Sequence, residues 1–140
     1  HFQVTSRVGT RVPLNWTASG RLLVGHLPEE ERRRIFMRCS MVSPTGRAQV
    51  DPDILSKQSE AALRDRVCVQ ASESDYAVAC IAAPIRNTLG ECLATISIVL
   101  PEDKARRGET IYAEAVRAAA SQIEAAMGIP VGSQIPTAAE

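Results

Sequence analysis

Two dense apolar segments, Ala77–Ile85 and Cys92–Leu100, flank the short stretch Arg86-Asn87-Thr88-Leu89-Gly90. Both segments are built from small and branched residues, and the stretch between them has turn chemistry, with Gly90 free to take a positive φ. The pair therefore predicts an antiparallel hairpin, closed at its far end by Pro101. A shorter strand, Val67–Ala71, precedes it. Side chains alternate along a strand, so Ala94, Ile96, Ile98 and Leu100 share one face and Leu93, Thr95, Ser97 and Val99 the other. The first set is wholly apolar and is expected to pack on helices. On the partner strand Val78, Cys80 and Ala82 point one way, and Ala79, Ile81 and Ala83 the other.

The rest of the chain supplies helices. Thr17 precedes Ala18-Ser19-Gly20, with Leu22, Leu23 and Leu27 at helical spacing, so Thr17 is expected to cap a short helix running to about His26. Pro28 suits the first position of a second helix, with Ile35 and Phe36 on its buried side. Asp51-Pro52 opens a third in the same manner, running to about Arg66 and burying Ile54, Leu55, Ala62 and Leu63. Tyr112, Val116, Ala119, Ile123 and Ala126 form an apolar stripe on a last helix. Thr110 is expected to cap it, and Gly128 to stop it in a left-handed turn. Residues 1–14 read as a strand around Phe2 and Val4, then an irregular stretch through Gly9 and Pro13. Clustered strands and helices with a hairpin argue an α+β fold on an antiparallel sheet.

A chain of 140 residues is one domain's worth, large enough to bury about two-thirds of its unfolded surface. The expected division is a domain over residues 1–130 and a flexible tail over 131–140, which is small, polar and Pro-containing. Sixteen basic residues balance sixteen acidic ones. The triplet Arg32-Arg33-Arg34 follows directly on Glu29-Glu30-Glu31, acid at a helix start and base behind it, as a solvated helix prefers. No basic face for nucleic acid is visible, and this chain alone is not expected to bind DNA. No apolar run is long enough to span a membrane. The opening His1-Phe2-Gln3 lacks a signal pattern and reads as a cut within a longer protein.

Four cysteines, Cys39, Cys68, Cys80 and Cys92, form no C-x-x-C pair, and His1 and His26 are not spaced as ligands. No metal and no cofactor is expected. Thiols dispersed in apolar runs behave as small hydrophobes and fit a reduced cytoplasm. A catalytic reading would need Cys80 or Cys92 as nucleophile with His26 as base. Burial in apolar strands raises a thiol's pKa, and no phosphate loop or nucleophile elbow is present, so catalysis is disfavoured.

Two features suit a small-molecule site. The Leu93–Val99 face mixes hydroxyls with apolar groups, as ligand pockets do. The same alternation also fits a core strand whose hydroxyls bond neighbours or water, and the pattern alone leans that way. The start of the Ala18 helix offers unpaired N–H groups, and small Ala18, Ser19 and Gly20 would let a carboxylate approach the backbone.

Several blocks resemble one family. Val8-Gly9-Thr10-Arg11-Val12-Pro13-Leu14 and Thr17-Ala18-Ser19-Gly20-Arg21-Leu22-Leu23 resemble the "G-x-x-x-P-L … T-A-S-G-r-x-L-L" block of effector domains in IclR-type bacterial transcriptional regulators. Cys80-Ile81-Ala82-Ala83-Pro84-Ile85, with Glu73 upstream, is similar to their "E … G … C-I-A-A-P-V" block. Ala94-Thr95-Ile96-Ser97-Ile98 resembles the strand that follows, and Ala118–Gly128 the closing helix. The four blocks lie in order across residues 7–128.

The resemblance implies a GAF/profilin-like curved antiparallel sheet flanked by helices, and a cytoplasmic receptor for a small-molecule carboxylate. DNA would be met only through a winged helix-turn-helix outside this chain, the opening stretch of the sensor domain would lie outside it too, and the assembly would be a homodimer or homotetramer. The family's ligand contacts carry over to the backbone of Ala18 and Ser19, to Cys80 and to Ser97, with Gln70, Val78 and Val99 beside them. The family's best-described pocket has an acidic residue at the place of Gln70 and a second serine at that of Val99; Ala77 stands for a usual glycine, and Trp16 for a smaller residue. These exchanges favour a larger or more aromatic acid. The alternatives are a GAF-like oligomerisation module with a vestigial pocket and, less favoured, a Cys-dependent hydrolase.

Overall fold

A computed structural model of the chain describes residues 7–130. The expected strand around Phe2 and Val4 and the expected tail over 131–140 lie outside the described residues. Four helices and three strands follow in the order α1 (Ala18–Val24), α2 (Glu29–Cys39), α3 (Pro52–Asp65), β1 (Cys68–Ala71), β2 (Val78–Arg86), β3 (Cys92–Pro101) and α4 (Glu102–Ala126). The fold is α+β, built on an antiparallel sheet in the order β1-β2-β3.

Register fixes the two faces. Cys68 pairs with Ala82 and Ala82 with Ser97, while Gln70 pairs with Cys80 and Cys80 with Val99. Directly opposed residues share a face. Cys68, Gln70, Val78, Cys80, Ala82, Pro84, Thr95, Ser97 and Val99 therefore lie on one side, as the alternation predicts. Ala79, Ile81, Ala83, Ile85 and Leu100 lie on the other and form a core with Ala105, Ala113, Val116 and Ala120 of α4. The first side is covered by α1 and α3, through Ala18, Leu22, Ala62 and Leu63 packed with Cys68, Ala82 and Cys92. Helix α2 packs outside them, with Phe36 against Val24 and Leu55.

The local signals explain most boundaries. The Thr17 hydroxyl accepts the Gly20 N–H at 2.9 Å and caps α1. The Asp51 carboxylate accepts the Asp53 and Ile54 N–H groups at 2.8 and 3.3 Å, with Pro52 as first helical residue of α3. Pro28 itself is the cap of α2, one position ahead of the place expected. Gly128 follows the end of α4 at φ 77°, the left-handed stop that the sequence implies.

Three expectations need correction. Helix α4 starts at Glu102, ahead of the expected start near Thr110, because Pro101 ends β3 and the Glu102 N–H finds the Ala77 carbonyl at 2.9 Å; the run expected from Thr110 is its second part, beyond Gly108. Gly108 departs from helical backbone and kinks the element, and its bare Cα leaves room for the Tyr112 ring. The buried line of α4 runs through Ala113, Val116, Ala120 and Glu124, a slight rotation from the expected stripe, and Ala126 is exposed. Ile54 is 42% exposed rather than buried, since α3 turns Leu55, Ala62 and Leu63 inward and Ile54 sits off that line.

Candidate functional site

The face beneath α1 gathers most of the expected site residues. Ala18 is fully buried over Ala82, and Ser19, half-buried, receives a hydrogen bond from the Thr95 hydroxyl at 2.8 Å. This bond fastens the first turn of α1 to β3. Thr95 shares the face by alternation but is not singled out by the family resemblance; its parity with Ser97 is the signal for it. One position along, the Ser97 hydroxyl lies beside the Cys80 thiol. Burial pushes that thiol above its ordinary pKa, and the hydrogen bond from Ser97 offsets only part of the effect. The site thus presents hydroxyls and a neutral thiol.

Ser97 and Val99 are exposed, because β3 has a sheet neighbour on one side only among the described residues, and Val78 is half-buried at the start of β2. Gln70 reaches the same face from β1 and is 2% exposed. Oriented with its amide oxygen toward the β1–β2 loop, it accepts the Glu73 and Ser74 backbone N–H groups at 3.0 and 2.8 Å. Its amide oxygen is therefore committed to shaping that loop. Trp16 donates its indole N–H to the Met41 carbonyl at 2.9 Å, and the buried Asn15 amide holds the Met41 and Gln49 carbonyls at 2.8 and 2.9 Å. Both residues pin the segment between α2 and α3.

Sequence pattern gives no hint that Arg21 belongs here, since a cation on a short helix reads as solvated. It is 5% exposed and pairs through both Nη atoms with Glu73 of the β1–β2 loop, while Nη2 also donates to the Asn15 carbonyl at 3.1 Å. Its guanidinium stands beside the Cys68 thiol on the strand floor. Burial nonetheless pushes Cys68 up to about 11, with the nearby cation pulling the other way.

No activated thiol results. Cys92 is likewise pushed to about 11 by burial, and its Sγ donates to the Ala94 carbonyl at 3.2 Å. His26 Nδ1 accepts the Cys92 backbone N–H at 3.2 Å, so its lone pair is spent on the main chain and not on a thiol. Without a thiolate at neutral pH the face can bind but has no nucleophile from this set.

Comparison with known proteins gives a consistent result. The family described as "Bacterial transcriptional regulator IclR C-terminal" matches residues 1–125. The HTH-type transcriptional repressor AllR of Escherichia coli (strain K12) is 30% identical over 123 residues, covering 87% of this chain and 45% of that protein. The chain thus spans about half the length of such relatives. Among solved structures, the C-terminal domain of the E. coli transcriptional regulator KdgR superposes with a TM-score of 0.72 at 26% identity, covering 86% of this chain and 74% of that one. An IclR homolog from Microbacterium hydrocarbonoxydans, complexed with 4-hydroxybenzoate, gives 0.73 at 27% identity, over 89% and 50% of the two chains.

Proposed function

Because the chain belongs to the IclR family of bacterial transcriptional regulators, where it matches the C-terminal regulatory domain, we propose that it is a cytoplasmic receptor for a small organic acid, aromatic in character. Its relatives are regulators, and the chain is a regulatory domain rather than an enzyme. Ligand binding here tunes DNA binding by a helix-turn-helix elsewhere in the protein, within a homodimer or homotetramer.

The observation that carries the proposal is the joining of α1 to the hydroxyl face of the hairpin, where Ser19 meets Thr95 and Ser97 meets Cys80. Ser97, Cys80 and the Ala18–Ser19 backbone meet the ligand's polar atoms, and Val78 and Val99 its apolar body. Gln70 stands behind them as support for the loop. The ligand of the Microbacterium relative is an aromatic acid, which matches the class favoured by Val99 in place of a second hydroxyl.

Thermal-shift titration with 4-hydroxybenzoate, other benzoates and short aliphatic acids tests the proposal. A receptor gains stability with excess ligand as mass action requires. Stabilisation by benzoates above that by short acids supports it; no stabilisation by any acid, together with unchanged self-association, points instead to an interaction module.

A further inference from the structure

Three arginines are buried among the described residues. Arg32 is used between α2 and α3, where Nε donates to the Ser56 carbonyl and hydroxyl at 3.2 and 3.0 Å and Nη2 pairs with Glu60. Arg86 turns toward α4 and is held by Glu124. Arg21 alone lies on the α1 side of the sheet, at the Cys68 thiol.

Taking a guanidinium out of water is costly unless its charge and its N–H groups are all answered. Glu73 answers the charge and the Nη edge, and the Asn15 carbonyl takes a further Nη2 hydrogen. Among the described residues the Nε–H is removed from water and bonds no oxygen, while the guanidinium also hydrogen-bonds the Cys68 thiol. The other polar groups assigned to the ligand, on Ser97, Cys80 and the Ala18–Ser19 backbone, are all neutral. Among these only the start of α1 favours an acid, through its partial positive charge. Arg21 adds a full positive charge.

We infer that Arg21 is the acid-recognising residue of this site: its Nε–H takes an oxygen of the ligand's carboxylate, while Glu73 holds the guanidinium in place from the β1–β2 loop. The inference rests on the α1 face being the ligand site. A hydrogen bond between two charged groups is roughly twice as strong as a neutral one, so the acid gains where its neutral isostere does not.

The test compares 4-hydroxybenzoate with its uncharged amide, 4-hydroxybenzamide, by isothermal titration. The variants are Ser97→Ala and the double variant Arg21→Met/Glu73→Gln, which strands no buried charge. The wild-type chain is expected to prefer the acid by roughly tenfold or more. That preference should fall to near unity in the double variant, while Ser97→Ala weakens both compounds and keeps the ratio. A folded double variant that still prefers the acid overturns the inference.

A second measurement needs no tight ligand. The nitrogen-15 Nε–H resonance of Arg21, identified by its loss in Arg21→Lys, is followed as sodium benzoate is added. It is expected to move together with the Ser97 and Thr95 amides. If those amides move and Arg21 stays still, Arg21 is not the acid-binding group although the face is the site. If neither moves with benzoate or 4-hydroxybenzoate, the face is not the site and the inference falls with it.

Discussion

The Thr95 hydroxyl donates to the Ser19 hydroxyl at 2.8 Å, joining the first turn of α1 to a strand 76 residues further along the chain. A short helix cannot hold itself in place, because its intrinsic stability is marginal without tertiary contacts. The position of the Ala18–Ser19 backbone over the hairpin therefore depends on this bond together with the packing of Ala18 and Leu22.

Thr95→Val keeps the shape of the side chain and removes the donor. The Ser19 hydroxyl is half-buried and loses its partner, so the fold should weaken by about 0.5–1.5 kcal/mol, read from urea denaturation. Ligand affinity should drop with it. Unchanged stability and affinity would show that packing alone seats α1.

Ser97→Ala separates binding from folding. Ser97 is exposed and its hydroxyl carries no long-range structural bond besides its contact with Cys80. The melting temperature should stay nearly constant while affinity for an acid ligand falls by about 1–2 kcal/mol, measured by calorimetric titration.

Gly20 sits where α1 crosses the turn at Leu14. A Cβ there would lie 2.3 Å from the Leu14 carbonyl oxygen and 2.9 Å from its Cα, both backbone atoms. Gly20→Ala should cost about 1–3 kcal/mol despite alanine's better helix propensity, since the helix must lift to admit it. Chemical denaturation gives the sign directly: any stabilisation refutes the close approach.

The buried thiols give a pH dependence. Cys68 and Cys92 titrate near 11 when folded against an ordinary 9.0. The folded state thus holds its protons longer than the unfolded one. Their contribution to stability is complete below about pH 9 and is lost as pH rises from there through about 11. In the folded chain at neutral pH, iodoacetamide should label the exposed Cys39 and spare these two, as mass spectrometry of tryptic peptides would show.

Glu124 is 5% exposed and accepts the Arg86 backbone N–H at 2.9 Å and its Nε at 3.2 Å, with Arg66 at 3.5 Å. Removing one member of a buried pair leaves the other charge uncompensated. Glu124→Ala is therefore expected to destabilise by about 3 kcal/mol in denaturant titrations, with ligand affinity of the folded molecules unchanged because α4 packs on the opposite face.

Where local chemistry decides the outcome, the sequence is readable. Thr17, Asp51-Pro52 and Gly128 mark helix ends because each acts on backbone within a few residues. Alternation along Cys92–Leu100 assigns the two sheet faces because the pleat has no other choice. The start of α4 escapes the same logic: Thr110 is a good cap, but the Ala77 carbonyl, brought near by the β1–β2 loop, caps the true first turn. Arg86 escapes it too: it ends β2 at the register shift, where Leu93 is the extra residue of β3, and its Nε reaches Glu124 of α4. Arg21 was illegible for a different reason. A buried cation declares itself only through its partner, and Glu73 lies 52 residues away.

The open side of β3 in the described sheet would tie two equilibria together if the proposed ligand and a second chain both met it. Leu93 and Val99 are 51% and 39% exposed at the margin of the described sheet, and Ser97 lies between them. Any chain that lies along this margin drives water from the residues a ligand would touch, and a ligand resting on them lessens the cost of that approach. By reciprocity each strengthens the other by the same factor. An affinity measured at a single protein concentration would then mix occupancy with assembly, and only a series of dilutions would pull the two apart.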